Sequence, residues 1–502
     1  MPSITRSSNR PTGYARVLSA PLDLISGLLG GQFQGTDSSE AEGIRSAERS
    51  QRATLTGLTS ILAKVVVLLT TIISVPLTFR YLGDDRYGLW MTITSCVLFL
   101  GFADLGMGNG LAAAISYADG KDDTAYARRQ VSCAFFLLLM IGMVLLALIF
   151  LLLPVMPWSR FYGLKSAIAA HEAGPATAVL VACAALSMPL GTVLRVQLGY
   201  QEGYVGDLWN AGGNLLALLG IITATRLHCS LPVLVLAVAG APLVTTSINW
   251  IVQFYWVRPW LRPSIRLFDR RTAMDLARVG FLFFLQQCFG LIYYVSDNLV
   301  IARELGSPKV AEYAVLQKIF SIGLIAQYFM VPLWPAIGEA LSRSDFRWAQ
   351  HIVRRAILFS LILGSVCALL LLGSSRFLMR HWSGVDPGPV DALRIGFAVW
   401  VVLVGYVAAT NAILNQPHII KHHLVIFGGA ALLSLGLKIW LARLWSLPGI
   451  IWGTILGYSI IYVGPAAWLA FSSVVAPPTT GAAERSCSDI AIVGEIRRVE
   501  TS

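Results

Sequence analysis

The sequence predicts an all-α integral membrane protein: twelve transmembrane helices in two pseudo-symmetric six-helix bundles around a central cavity. Three observations predict it. Of the 502 residues, 56% are hydrophobic and only 13% charged, whereas a soluble domain carries roughly 25% charge. Apolar runs of the length needed to span a bilayer, about 20 residues, recur along the chain from residue 54 to residue 474. The second half also echoes the first. Ala114-Ile115-Ser116-Tyr117-Ala118, followed by Lys121, Asp123, Tyr126 and Ala127, returns as Ala336-Ile337-Gly338-Glu339-Ala340, followed by Arg343, Asp345, Trp348 and Ala349. Leu82-Gly83 returns as Leu305-Gly306, and Gly212, Gly213 and Gly220 return as Gly428, Gly429 and Gly436, in the same order.

Taken in order, residues 1–53 read as a largely disordered tail rich in Ser, Gly, Arg and Thr, with no cleavable signal peptide. Within it, Val17 to Leu29 is too short to span and reads as a candidate interfacial helix. The expected spans are 54–79, 88–114, 131–153, 176–196, 204–225 and 231–256, then 279–301, 310–335, 352–373, 392–414, 424–445 and 448–474. Each is read as a helix, because a helix satisfies its own backbone polar groups inside lipid. The basic segment 257–278 separates the bundles 54–256 and 279–474, and a polar, disordered tail covers 475–502. A membrane protein of two like halves is a common plan of secondary transporters, with the site at the seam.

The net charge of +11 does not point to nucleic acid, because the basic residues sit between apolar runs and there set orientation. Arg6 to Arg52, Lys121, Arg128, Arg129, Arg258 to Arg278 and Arg343 to Arg355 share one side. They outnumber Arg80, Arg86, Arg160, Lys165, Arg226, Arg303, Lys309, Arg376, Arg380 and Arg443 on the other. Both termini are therefore expected in the cytoplasm. Trp256 and Trp260 lie at a span end, as membrane belts predict. The seven cysteines form no CxxC and read as small buried thiols. His418, His422 and His423 read as a solvated loop beside Lys421, without an acidic or Cys partner that would make a metal site. No metal and no cofactor is expected.

Span one ends in Phe79-Arg80-Tyr81-Leu82-Gly83-Asp84-Asp85-Arg86-Tyr87-Gly88-Leu89-Trp90, and span two carries Asp104-Leu105-Gly106-Met107-Gly108-Asn109. Ala302-Arg303-Glu304-Leu305-Gly306 closes span seven. Over about 54–474 the chain resembles the Wzx-type flippases, the polysaccharide-transporter branch of the MATE-like MOP superfamily. The resemblance implies transfer of an undecaprenyl-pyrophosphate-linked oligosaccharide between leaflets of the bacterial cytoplasmic membrane, coupled to a gradient of H+ or Na+. It implies no enzymatic activity. The tail of 53 residues departs from the family and leaves room for a partner such as a polysaccharide polymerase or assembly protein.

Charges inside the spans are the candidate site. A charge at mid-span costs roughly 2.5–3.5 kcal/mol on insertion scales, so it should face protein or water. Lys64 lies mid-depth on a polar stripe with Ser60, Thr71, Ser74 and Thr78 and is the first candidate for the pyrophosphate, with a structural pairing to an Asp as the bland alternative. Arg195 reads as a second anion contact or an anchor. Lys318 reads as a cavity cation or a snorkelling one, and Arg394 and Lys438 as anchors near outer helix ends. Gln286 and Gln287, with Asn298, suit a hydroxyl-rich sugar or join helices to one another. Asp104, in a glycine-rich stretch that can break its helix, and Asp297 are the ion-coupling candidates, with Asp207 behind them.

Two other functions compete: a cation or drug antiporter of the same superfamily, and a membrane glycan polymerase or glycosyltransferase. Lys64 would repel a cationic drug, and no outer loop is long enough to hold glycosyl-transfer chemistry. The orientation is testable by single cysteines in intact cells. Positions 121, 266 and 345 should resist an impermeant maleimide from outside while 84, 165 and 380 react; labelling at 266 from outside would reverse the topology.

Overall fold

The computed structural model describes residues 51, 55–67, 69–71, 73–74, 77–83, 86–87, 89–90, 93, 102–162, 166–380 and 391–475. The candidate interfacial helix at 17–29 and the tail after 475 lie outside them. Among the described residues, nine helical runs are long and apolar enough to cross a membrane, and a shorter one covers Leu55–Thr71. With the 14-residue helix Met107–Gly120 they are, in order, α1 (Leu55–Thr71), α2 (Met107–Gly120), α3 (Thr124–Val155), α4 (Ala167–Gly199), α5 (Gly203–Arg226), α6 (Leu231–Val257), α7 (Arg270–Glu304), α8 (Tyr313–Ser342), α9 (Phe346–Leu378), α10 (Asp391–Leu414) and α11 (Ile420–Ser472). The last run holds two of the expected spans. Ser446, at φ 56° and ψ −138°, breaks it just before Pro448, a residue that cannot continue a helix hydrogen-bonding ladder. Helices α1 to α6 form one lobe and α7 to α11 the other.

The two lobes are packed differently. The C-terminal lobe has one continuous apolar core running from Tyr293 and Tyr313 through Phe397 and Val404 to Tyr458 and Tyr462. The N-terminal lobe has two separate cores. One gathers Leu82, Leu89, Trp90, Ala173, Leu231 and Leu234; the other gathers Leu111, Ile115, Val131, Val193, Val196 and Phe254. Between them the lobe is hollow.

The echo in the sequence is a structural repeat. Helix α2 ends at Gly120, Asp122 takes the left-handed conformation (φ 54°), and the Asp123 carboxylate caps α3 by accepting from the Tyr126 amide at 2.8 Å. Helix α8 ends at Ser342, Ser344 takes the same conformation (φ 66°), and the Asp345 carboxylate caps α9 by accepting from the Trp348 amide at 3.2 Å. The return amides match too: Asp123 donates to the Ala118 carbonyl and Asp345 to the Ala340 carbonyl, each at 2.9 Å. Short polar residues that cap and small ones that turn produce both corners.

Of the basic segment 257–278, residues from Arg270 onward are helical and belong to α7, capped by the Asp269 carboxylate on the Thr272 amide. Two expectations are corrected by this fold. Lys438 is not an interfacial anchor: it is fully buried in the C-terminal lobe. His423 is not in a solvated loop; it is buried against Phe427 and Tyr462, because α11 starts at Ile420 and turns that position inward.

Candidate functional site

The hollow of the N-terminal lobe is a cavity of about 690 Å³. Apolar walls from α3, α4 and α6 surround a polar floor made by Ser60, Asp104, Arg195, Asp207 and Asn210. Each floor residue has a local reason to be there. The glycine-rich stretch before α2 does break the span: Leu105 and Gly106 adopt positive φ (49° and 71°), and the Asp104 carboxylate accepts from the Gly106 amide at 2.9 Å. A side chain on Gly106 would collide with the Gly280 carbonyl of α7, so glycine is required both by conformation and by the close approach of the lobes. Arg195 reaches from α4 and donates to Asn109 Oδ1 at 2.8 Å. Gly108 lies beneath both charges; a Cβ there would sit 2.8 Å from Arg195 Nε and 2.9 Å from Asp104 Oδ2.

Ser60 on α1 donates to Asp207 Oδ2 on α5. One turn along α1, Lys64 is exposed to the gap between lobes. Its Nζ lies 5.6 Å from the centroid of the Tyr328 ring on α8, a cation–π distance. Lys64 is also close enough to Asp207 to act on it electrostatically. The floor therefore holds two acids and one guanidinium, with a lysine on the neighbouring turn.

The other predicted residues lie elsewhere. Asp297 is buried in the C-terminal lobe, 2.6 Å from Lys438 Nζ, and accepts from the Tyr313 hydroxyl at 2.6 Å. Lys438 also donates to the Tyr293 carbonyl and to Ser296 Oγ, each at 3.1 Å. The two charges offset each other where they stand, the pairing that sequence reading had assigned to Lys64 as its alternative. Gln286 donates to Asn415 Oδ1 at 2.9 Å, linking α7 to the end of α10. Gln287 is partly buried, while Asn298 and Lys318 are exposed; none of these three lines the cavity of the N-terminal lobe. Asn109 and Asn210 were missed by sequence reading. The signal for Asn210 was its i, i+3 spacing from Asp207, which puts both on one face of α5.

At the basic end, the two repeats close against each other. Ser116 donates to the Pro335 carbonyl. The ends of α2 and α8 meet so closely that a side chain on Gly120 would overlap Ser342. Arg343 then reaches across to the N-terminal lobe. It forks onto Asp122 with contacts of 2.9 and 3.1 Å and donates to the Asp119 carbonyl at 2.8 Å. Its Nε donates to Glu339 at 2.6 Å, and Glu339 accepts from Gln201 of the N-terminal lobe at 3.2 Å. Asp122 and, behind it, Glu339 raise the pKa of the Arg343 guanidinium, so it is charged at every accessible pH. At the opposite end, Arg86–Glu172 joins helices of the N-terminal lobe and Arg443–Glu304 joins helices of the C-terminal lobe.

Comparison with known proteins agrees with this architecture. The family model described as polysaccharide biosynthesis protein matches residues 56–341. A putative O-antigen transporter of Salmonella typhi is 22% identical over 427 residues, covering 82% of this chain and 94% of that protein. A putative O-antigen transporter of Salmonella typhimurium strain LT2 is 23% identical over 319 residues, covering 61% and 69%. Among solved structures, a MATE protein in its bent conformation superposes with a TM-score of 0.75 at 17% identity, covering 89% of this chain and 99% of that one. An outward-facing multidrug resistance MATE transporter of the MOP superfamily gives 0.73 at 16% identity, covering 85% and 96%. The fold is thus the MATE-like one, in two bundles.

The fork at Arg343 generates a prediction. A partly exposed bidentate pair contributes on the order of 1 kcal/mol, so Arg343→Ala should shift the closed–open equilibrium at the basic end by about fivefold. In an otherwise cysteine-free protein carrying Asn210→Cys, an impermeant maleimide added on the basic side should label the cavity correspondingly faster. Unchanged labelling would mean that the fork does not hold that end shut.

Proposed function

The chain belongs to the polysaccharide biosynthesis protein family, and from that premise we propose that it is a secondary transporter of a polyprenyl-pyrophosphate-linked oligosaccharide. The cargo class is an O-antigen, capsule or exopolysaccharide unit, carried from the inner to the outer leaflet of a bacterial cytoplasmic membrane by ion-coupled alternating access. The basic end faces the cytoplasm, with both termini there, so the arrangement seen is closed inward. The relatives named as O-antigen transporters support the cargo class.

The observation that carries the reading is the charge arrangement beside the inter-lobe gap. A pyrophosphate cannot enter hydrocarbon unpaired; a cation must replace its lost hydration with charge-assisted hydrogen bonds. Lys64 faces the gap and Arg195 lies in the adjoining cavity. Lys64 is the first contact for the headgroup and Arg195 the second. The sugar then occupies the gap, where Gln287, Asn298 and Lys318 remain candidate contacts and Gln286 joins them once released from Asn415.

The coupling ion sits with the acids of the cavity, Asp104 and Asp207. A proton or sodium ion there changes the net charge around Arg195 and Lys64, and with it their hold on the pyrophosphate. Asp297 is less suited to that role, because Lys438 neutralises it in place. The same two acids favour a second reading, a cation antiporter, in which a cation occupies the cavity as cargo.

Export of lipid-linked glycan and reconstituted transport separate the two. Lys64→Ala should lose most glycan export at normal abundance, and Lys64→Arg should retain part of it, since charge survives while shape changes. In vesicles with an imposed pH or sodium gradient, Asp104→Asn and Asp207→Asn should lose gradient-driven transport yet keep slow exchange between leaflets. Normal export by Lys64→Ala, with loss of cation efflux in the Asn variants, would establish the antiporter instead.

A further inference from the structure

The segment joining the lobes at the basic end is an ordered strap, 258–269, and its chemistry is not used by the transport reading. It is fastened to the N-terminal lobe at several points. Arg258 forms a bidentate pair with Glu202 at 2.7 and 2.9 Å and stacks 4.3 Å over the Tyr200 ring. Leu261 is fully buried in the core next to Val131 and Phe254. The Ser264 amide donates to Ser132 Oγ at 3.2 Å, and the Phe268 ring packs edge-on against Phe136 of α3.

What the strap leaves outward is of two kinds. Arg262, Arg266, Arg270 and Arg271 are exposed, and Arg128 and Arg129 at the start of α3 lie on the same flank. Among the described residues none of these six makes an ion pair, while the one acid in the strap, Asp269, is spent on the first turn of α7 through the Thr272 amide and hydroxyl. Interleaved with the arginines are exposed apolar side chains: Trp256 at 75%, Trp260 at 40%, Ile265 at 64% and Phe268 at 39%. A strap that links the ends of two spanning helices lies at the membrane surface. Guanidinium groups there meet lipid phosphates, and aromatic and aliphatic groups beside them enter the headgroup layer.

We propose that this strap, with the first turn of α7, is a binding surface for anionic phospholipid, with Arg262 and Arg266 of the strap and Arg270 and Arg271 of α7 as the phosphate contacts and Trp260 and Ile265 as the apolar anchors. The pairing is by charge complementarity: a patch of cations without carboxylate partners, of which Arg262 stacks 4.5 Å over the Tyr255 ring, fits a negative lipid surface, not a zwitterionic one. The proposal goes beyond the transport function and does not depend on the cargo. Because the strap is clamped to the N-terminal lobe and runs directly into α7, bound lipid holds that lobe in the interface while α7 moves.

The test uses the full-length protein in vesicles containing spin-labelled phosphatidylglycerol or phosphatidylcholine. The wild type should retain phosphatidylglycerol preferentially, with the preference falling as salt is raised. Removing Arg262, Arg266, Arg270 and Arg271 together (each Arg→Gln) should reduce that preference by about fivefold or more, the effect of at least one basic residue at an anionic surface. The control Arg347→Gln, Arg354→Gln and Arg355→Gln, which strips exposed arginines elsewhere on the basic end, should retain it. Equal loss in both variants would show a mere effect of net charge and overturn the site, as would absence of any preference in the wild type. Should the quadruple variant fail to insert, a benzophenone amino acid in place of Ile265 decides. Capture of phosphatidylglycerol over phosphatidylcholine supports the site, and capture indifferent to headgroup refutes it.

Discussion

Ionisable groups inside a bilayer need a partner, and most of the arrangement of this chain can be understood from how that need is met in each lobe. In the C-terminal lobe, Asp297 and Lys438 satisfy each other, with Tyr313 and Ser296 completing their hydrogen bonds. That lobe can then close around them with a continuous apolar core. In the N-terminal lobe the charges are spread over the floor of a cavity. Asp207 has a serine, Arg195 has an asparagine, and Lys64 has an aromatic face. These are partners that a stronger ligand can displace. A buried ion pair is expensive to separate; a lysine over a tyrosine at a gap is not. The same constraint thus gives one lobe a continuous core around its ion pair and leaves the charges of the other along a cavity.

The lobes meet through features that tolerate separation. Close backbone approach at Gly106 and Gly280, a hydroxyl donating to the Pro335 carbonyl and an arginine fork on an exposed aspartate hold the basic end. The hydrogen bonds and the fork among these contacts can be exchanged for water, while Leu276 of α7, buried with Leu111 and Ile115, adds an apolar contact between the lobes. The closure also follows from duplication. Two like corners, each a helix end, a left-handed residue and an aspartate cap, come together with Arg343 supplied by one side and Asp122 by the other. Lys121, the counterpart of Arg343, is exposed, so the fork exists in one direction and one side chain carries it.

Much of this was legible in the residues. The echo around Ala114 and Ala336 marked the two repeated segments, though not that Asp123 and Asp345 cap the helices that follow, and the glycines around Asp104 announced the break before α2. Periodicity gives the depth of a residue along its helix, but not which neighbour its face will meet. Lys438 was read by depth as an interfacial anchor, yet its face turns toward α7, where Asp297 waits 141 positions earlier in the chain at 2.6 Å. Asp297 shares a polar helical face with Gln286, but the lower part of that face looks into its own lobe and only Gln286 reaches Asn415. The floor of the cavity is likewise a product of tertiary packing: Ser60 and Asp207 are brought together from α1 and α5.

Alternating access requires that closure at the basic end and closure at the opposite end exclude each other. Spin labels at positions 121 and 347 report the first, and labels at 86 and 303 the second, in protein reconstituted in vesicles. Addition of a lipid-linked oligosaccharide with an ion gradient should convert a population with a short basic-end and long opposite-end distance into one with the reverse, the two changing together and in opposite senses. A basic-end distance that stays single and short while transport proceeds would contradict the account.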